Sequence, residues 1–136
     1  MFTFQCPVGW TAFANSCYIV IHANTYNRSH AINICQNEGG FLAVITSAAE
    51  RDATQSLLSS VAGGYVYVDG TDAEVEGTWK TQTGETIAIP FEAPAGSGIT
   101  YPSGGSIYNC LHMNNNELRD YPCRWAIGGA LCEMNL

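Results

Sequence analysis

The stretch Gly39-Gly40-Phe41-Leu42-Ala43-Val44-Ile45-Thr46-Ser47-Ala48-Ala49-Glu50 connects two segments that have the character of helices. Residues 29–36, which precede it, place apolar side chains at helical spacing, and the pair Gly39-Gly40 predicts the end of that helix. The run Leu42-Ala43-Val44-Ile45 predicts a short apolar strand or an extended link. The stretch therefore indicates a helix, a short extended segment and then a second helix.

Ser47 and Glu50 predict the start of the second helix, because their spacing matches a capping box. In this motif the serine side chain caps the helix while the glutamate side chain reaches back to the serine amide. Gly63-Gly64 predicts the end of the helix. Its apolar face is predicted at these four positions: Ala49, Ala53, Leu57 and Val61.

Strands and loops dominate the rest of the chain. Strands are predicted at residues 16–21, 65–69, 78–80, 107–113 and 130–133. Residues 84–106 carry three prolines and five glycines and predict a long loop, which in a compact domain is often functional. Because helices come first and strands later, the class is predicted as α+β. With no repeat or linker in the sequence, we expect a single domain over residues 1–136.

Charge and cysteine content limit the functional classes. The chain has 136 residues, 5 Lys and Arg against 12 Asp and Glu, and a formal net charge of −7. This balance argues against nucleic acid or an anionic membrane as the partner, and no apolar run reaches the ~20 residues of a membrane span. Six cysteines indicate a disulfide framework in an oxidising compartment, although six allow fifteen pairings. A zinc site of Cys110, His112 and Cys123 is an alternative. The chain is expected to be the mature form of a secreted, extracellular protein.

Ten short motifs occur in an order that resembles one known family, the C-type lectin-like domain. They are Cys6-Pro7-x-Gly9-Trp10, Asn15-Ser16-Cys17-Tyr18, Ala31-x-x-x-Cys35, Gly39-Gly40-x-Leu42-Ala43-Val44-Ile45, Ser47-x-x-Glu50, Tyr67-Val68-Asp69-Gly70, Glu76-Gly77-x-Trp79, Asn109-Cys110, Asp120-x-x-Cys123 and Leu131-Cys132-Glu133. Residues 68–77 are most similar to secreted invertebrate lectins. The resemblance implies two helices packed on small antiparallel sheets, a long irregular loop region, and three disulfides. The implied disulfide pairs are Cys6–Cys17, Cys35–Cys132 and Cys110–Cys123.

The resemblance also implies where a sugar would bind. In sugar-binding members a calcium ion coordinates two sugar hydroxyls and is held by a Glu-Pro-Asn or Gln-Pro-Asp tripeptide, a Glu and a Trp-Asn-Asp tripeptide. Here Leu118-Arg119-Asp120 replaces the last of these, Tyr108 replaces the Glu, and Tyr101-Pro102-Ser103 replaces the first, with Ala93-Pro94-Ala95 as the rival alignment. One of the five side-chain ligands remains, and Arg119 brings a permanent positive charge to the place of a dication. The usual sugar–calcium geometry is therefore expected to be lost.

One hypothesis is that Arg119 replaces the metal. Its guanidinium would donate to sugar oxygens, Asp120 would accept from sugar hydroxyls, and Tyr101 or Tyr108 would stack on a sugar face. Neighbours on a strand point to opposite faces, so Arg119 and Asp120 both reach a sugar only if residues 117–121 bend. Two further candidates complete the predicted sugar site: Ser103 and Asn109. The alternative is that the site has decayed and the fold serves another partner.

Two other acidic pairs resemble calcium sites of the family. Asp72 and Glu76 match an auxiliary site beside the sugar site, to which Asn109 could add an oxygen, or else they form a solvated acidic loop. Glu50 and Glu133 match a site at the base of the domain; otherwise Glu50 serves only its capping box and Glu133 meets water. Calcium is expected in a structural role at most, and no cofactor is required.

No placed nucleophile or acid–base pair indicates an enzyme. The main hypothesis is a non-enzymatic, calcium-independent lectin that recognises foreign or self glycans, as in innate immunity. The alternative is a module that binds a protein or mineral surface. Glycans are the expected partners, with no nucleic acid and no membrane. A non-covalent homodimer is expected, because the three implied disulfides use every cysteine and single sugar contacts are weak.

Overall fold

The computed structural model describes residues 5–58 and 64–136 of the chain. Within them it contains two helices and seven strands, which confirms the α+β class. In chain order these are β1 (Thr11–Phe13), β2 (Ser16–Ile21), α1 (Arg28–Asn37), β3 (Phe41–Leu42), α2 (Ala48–Leu58), β4 (Val66–Thr71), β5 (Cys110–Met113), β6 (Leu118–Tyr121) and β7 (Gly129–Asn135).

The described strands join one sheet in the order β1-β2-β7-β4-β5-β6, and β3 also pairs with β7. The pairing of β4 with β7 is parallel and the others are antiparallel. The resemblance predicts small separate sheets. The structure has one sheet instead, because β7 pairs with both β2 and β4. Adjacent residues of β4 face different cores: Val66 and Val68 pack in one hydrophobic cluster, and Tyr67 packs in the other.

The glycine pair after α1 is explained by backbone geometry. Gly39 has a φ of +89°, which residues with a side chain rarely adopt. A Cβ on Gly40 would lie 2.4 Å from the Glu133 carbonyl oxygen, so β7 can approach only a glycine there. The pair thus ends α1 and lets the chain pass close to the final strand.

The first bond of the predicted capping box of α2 forms, since the Glu50 amide donates to the Ser47 Oγ at 3.1 Å, whereas the Glu50 side chain accepts from the Ser47 hydroxyl at 3.2 Å. The predicted apolar face of α2 is only partly correct, because Leu57 packs against the hydrophobic core but Ala49 is exposed and Ala53 is only partly buried. Three other residues are buried instead: Thr54, Gln55 and Leu58. Thr54 and Gln55 tolerate burial because both are hydrogen-bonded. The Thr54 hydroxyl donates to the Glu50 carbonyl oxygen, and the Gln55 side-chain amide donates to the Glu92 carboxylate. Val61 and Gly63 lie outside the described residues.

Several strand predictions need correction. Residues 78–80 supply only an isolated bridge at Lys80, and the strand predicted at 107–113 begins at Cys110.

Three disulfides join Cys6 to Cys17, Cys35 to Cys132, and Cys110 to Cys123, which are the pairs that the resemblance implies. The zinc alternative is therefore wrong, because two of its three ligands are bonded to each other.

Candidate functional site

An open groove of about 420 Å³ lies where the long loop meets β6. Its lining comprises Ile99, Tyr101, Ser103, Tyr108, Arg119, Asp120, Tyr121 and Trp125. Five of the six residues predicted for a sugar site line this one groove, although they are up to nineteen positions apart in sequence. The sixth, Asn109, is not among the lining residues, and its amide donates to the Ser106 carbonyl oxygen at 2.8 Å.

Arg119 is held in a defined position in this groove. Its Cζ atom lies 4.2 Å from the ring centroid of Tyr65 and 4.5 Å from that of Tyr121. Its Nε and Nη2 atoms lie 3.4 and 3.2 Å from Nδ1 of His112, and its side chain is 22% exposed. Cation–π contacts of this kind stabilise a guanidinium and restrict its movement. The side chain is therefore ordered before any ligand arrives.

His112 supports Arg119, a role not predicted from the sequence, which indicated His112 only for the zinc alternative. The two residues are paired across β5 and β6, and the His112 ring stacks between Tyr65 and Tyr121 with centroid distances of 4.3 and 4.1 Å. Its Nε2 atom lies 2.8 Å from the Ile127 carbonyl oxygen, which only accepts, so Nε2 carries the proton and Nδ1 accepts from Arg119. Burial, together with the charge of Arg119, lowers the pKa of His112 to about 3. The histidine thus stays neutral.

Asp120 lines the groove, and its carboxylate anchors the long loop. Its carboxylate oxygens accept hydrogen bonds from the amides of Ser103 and Gly104 at 2.7 and 2.8 Å, and the residue is 1% exposed. The pairing of β5 with β6 is regular from Leu118 to Tyr121, so the predicted bend is not found. Both carboxylate oxygens are thus occupied by loop amides, and acceptance from sugar hydroxyls by Asp120 stays a prediction.

Glu117 also supports the groove, a role that the sequence did not predict. It is 5% exposed, and its carboxylate accepts hydrogen bonds from the hydroxyls of Tyr65 and Tyr101, the latter at 2.8 Å. Its Oε1 atom lies 3.7 Å from Nη1 of Arg119. Burial, and then the bond to Glu117, raises the pKa of Tyr65 to about 12, so this hydroxyl remains a donor. Glu117 thus joins β4, the loop and β6.

The remaining lining residues are more open to solvent. Ser103 is exposed and Tyr108 is half-buried. The peptide bond between Tyr101 and Pro102 is cis. Trp125 is 42% exposed and packs edge-on against Tyr121, while its carbonyl oxygen accepts a hydrogen bond from the Tyr67 hydroxyl. The groove therefore combines one cation with several aromatic walls.

Calcium in the usual sugar-coordinating position does not fit these residues. Arg119 occupies the groove, and both oxygens of Asp120, the one retained ligand, are bound to loop amides. Across residues 5–58 and 64–136, no group of three or more His, Cys, Asp or Glu side chains is arranged to hold a metal. No step in sugar binding is therefore assigned to a metal in the groove.

Asp72 and Glu76, the acidic pair predicted as an auxiliary calcium site, fit a cation better than the residues of the groove do. Asp72 is 2% exposed, with Oδ2 accepting from the Gly77 amide, whereas its Oδ1 and the Oδ1 of Asn109 are buried without a hydrogen-bond partner. Burial and the charge of Glu76 raise the pKa of Asp72. Glu76 itself accepts from the Gly105 amide at 3.0 Å. Unpaired buried oxygens are the donor type that calcium prefers. The alternative prediction of a solvated acidic loop is therefore wrong for Asp72, because its side chain is buried.

The pair at the base of the domain is already satisfied by protein donors. Glu133 is 7% exposed and accepts from the Ser16 hydroxyl at 2.7 Å and the Val44 amide at 3.0 Å. Glu50 accepts from Thr46 and Ser47 at 2.9 and 3.2 Å. The expectation that Glu133 meets water is wrong. Burial, and also the charge of Glu50, raises the pKa of Glu133.

Comparison with known proteins agrees with this geometry. The family profile described as "Lectin C-type domain" matches residues 24–134. A "Hemolymph lipopolysaccharide-binding protein" of Periplaneta americana is 30% identical over 138 residues, which cover 96% of this chain and 54% of that protein. The chain also matches "C-type lectin domain family 4 member M" of Nomascus concolor and "CD209 antigen" of Papio hamadryas, and it spans only 29% and 33% of the length of those proteins.

Two solved structures have a similar fold. One is entitled "Crystal structure analysis of calcium-independent type II antifreeze protein", with a TM-score of 0.75, 26% identity and coverage of 98% of this chain and 97% of that one. The other is a murine dendritic cell inhibitory receptor 2 lectin domain in complex with N-glycan, with a TM-score of 0.78, 20% identity and coverage of 97% and 100%. In the part of this chain that is described, no helix is both long and apolar enough to cross a membrane. From its sequence match and its fold, the chain belongs to the C-type lectin domain family.

Proposed function

We propose that this chain is a non-enzymatic lectin that binds glycans in the Arg119 groove without calcium. The observation that carries the proposal is the ordered guanidinium of Arg119 among aromatic walls, at the position where the family resemblance expects sugar. Arginine donates hydrogen bonds to sugar oxygens, and an aromatic ring packs on the apolar face of a sugar. Tyr101, Tyr108 and Ser103 are proposed contacts. Asp120 is proposed to position the loop, and Asn109 to act outside the groove.

Relatives support glycans as the ligand class. One relative is a lipopolysaccharide-binding protein, and a fold neighbour is in complex with an N-glycan. The biological setting that we propose is recognition of foreign or self glycans outside the cell, where the three disulfides are stable. We also propose that residues 1–136 form a single domain that associates non-covalently as a homodimer, which would add avidity.

The second candidate is a module without a sugar site. It is favoured by the calcium-independent antifreeze protein, which is 26% identical to this chain and shares its fold. In that case the exposed side chains of the loop face would contact a protein or mineral surface. The two candidates differ in whether any glycan binds at all.

A glycan array with and without EDTA tests the main proposal. Binding should survive EDTA and should weaken by about ten- to a hundredfold in Arg119→Ala, because a charge-assisted hydrogen bond contributes roughly 1.5–3 kcal/mol. Arg124→Ala is the matched control, since it removes the same charge from an exposed position that does not line the groove. Loss of binding in EDTA, or normal binding by Arg119→Ala, would contradict a calcium-independent site at Arg119. An array without any bound glycan would favour the second candidate.

A further inference from the structure

We infer that the groove selects anionic sugars, which carry a carboxylate or a sulfate, over neutral ones; this inference rests on the function proposed above. The first step is the balance of donors and acceptors. A guanidinium carries five N–H groups. Among the described residues, the Nε and Nη2 atoms of Arg119 share one acceptor, Nδ1 of His112, and the Tyr101 hydroxyl is a further hydrogen-bond partner of the guanidinium. N–H groups of the guanidinium therefore remain for a ligand.

The carboxylates around the groove do not neutralise Arg119 through a close ion pair. Glu117 Oε1 lies 3.7 Å from Nη1, which is beyond the usual ~2.7–2.9 Å of a charge-assisted hydrogen bond. Glu117 accepts from two tyrosine hydroxyls, and Asp120 accepts from two loop amides. With Glu117 at 5% and Asp120 at 1% exposure, neither carboxylate is open to sugar hydroxyls. The groove thus presents a strong donor and no exposed carboxylate acceptor.

A ligand that matches this arrangement must bring the acceptor. A sugar hydroxyl accepts from Arg119 through a neutral oxygen, whereas a carboxylate accepts two parallel N–H bonds from a planar guanidinium. A sulfate offers the same type of oxygen, so the shared chemistry is an oxyanion on a sugar. The apolar face of that sugar would pack against the aromatic rings of the groove, of which Trp125 is the most exposed.

Net charge sets the range over which this selection works. The chain carries −7 overall, so it does not attract anions from a distance. At physiological ionic strength this repulsion is screened within about 8 Å. Selection must then arise from contact with Arg119, which already holds its position through Tyr65, Tyr121 and His112. A preordered side chain loses little rotamer freedom when a ligand binds.

Titration calorimetry with paired saccharides tests the inference. The probes are N-acetylneuraminic acid and glucuronic acid, each against its own methyl ester, with galactose 3-sulfate against galactose as the sulfate arm. Wild-type protein should bind at least one acid about tenfold more tightly than its ester. Arg119→Gln should remove this preference, Arg119→Lys should keep part of it, and Arg124→Gln should leave it unchanged.

The ester comparison needs no variant, so it remains decisive even if a substitution affects folding. Equal binding of acid and neutral partner in all three pairs would overturn the anionic selectivity and leave glycan binding in place. A preference retained by Arg119→Gln would overturn the assignment to Arg119. A preference confined to the sulfate pair would support the inference and identify sulfate as the anion. No binding by any saccharide in these pairs or on the array would overturn both the inference and the proposed function.

Discussion

At the scale of single residues, the groove depends on a histidine that stays neutral. His112 is fully buried, stacks between two tyrosines and accepts from Arg119, and a protonated ring could no longer accept. Its lowered pKa of about 3 follows from burial and from the nearby guanidinium. The functional charge on Arg119 and the neutrality of His112 are therefore coupled.

His112 should make folding sensitive to acid. A histidine in the unfolded chain has a pKa near 6.5, so it becomes protonated below that pH, whereas His112 in the folded chain stays neutral. Because the unfolded state then binds more protons than the folded state, the free energy of unfolding decreases as the pH falls. Between pH 7.5 and 4.5 this loss amounts to roughly 3 kcal/mol, from the linkage of the two pKa values. Urea unfolding at both pH values should show a larger drop for the wild type than for His112→Asn.

The control for this measurement is His22→Asn, which changes an exposed histidine and should keep the wild-type drop. The raised pKa of Glu133 acts in the opposite sense, because a buried carboxyl favours the folded state as pH falls through its folded pKa. Comparing variants at each pH removes that contribution. An equal drop in wild type and His112→Asn would mean that His112 does not stay neutral in the fold.

At the scale of elements, β6 connects the sheet to the long loop by presenting two opposite faces. On one face Arg119 meets the aromatic groove, and on the other Asp120 binds the amides of Ser103 and Gly104. The isolated bridge between Glu92 and Leu118 adds a second attachment for the loop. One regular strand thus positions both the binding residue and the loop that completes the groove.

Asp120→Asn should loosen the loop while the sheet stays intact. An amide has one oxygen where the carboxylate has two, so at least one charge-assisted bond is lost, at about 1.5–3 kcal/mol. Hydrogen exchange should become faster at the amides of Ser103 and Gly104 and remain slow in β5. Asp52→Asn, at an exposed position on α2, is the matched control. Unchanged protection of the two loop amides would show that Asp120 is not the anchor.

At the scale of the whole molecule, the two acidic pairs differ in how completely protein donors satisfy them. Glu50 and Glu133 bind donors from β2, the α1–α2 connection and the start of α2. Asp72 and Asn109 each keep a buried oxygen without a partner. A cation that binds the folded chain alone stabilises it by mass action. We therefore expect any structural calcium at Asp72, separate from the Arg119 groove.

Millimolar calcium should raise the melting temperature, by about 4 °C for each kcal/mol of binding linkage in a chain of this size. Asp72→Asn should abolish the rise, and Glu133→Gln is the matched control that should keep it. The reverse result would place the cation at the base of the domain. A wild-type melting curve that does not respond to calcium would contradict both sites.

Local motifs in the sequence were sufficient to predict the family of this protein. The glycine pair and the capping residues act over a few positions, so they can be recognised without a structure. The three disulfide pairs were predicted only through the family resemblance, because six cysteines by themselves allow fifteen pairings. Tertiary structure alone decided which face of α2 is buried, that β7 unites the strands into one sheet, and that Asp120 holds the loop. It also brought Tyr65, His112 and Glu117 to Arg119. Tyr65 is distant in sequence, and His112 meets Arg119 because β5 pairs with β6. Their chemistry arises from burial and proximity, which no local pattern encodes.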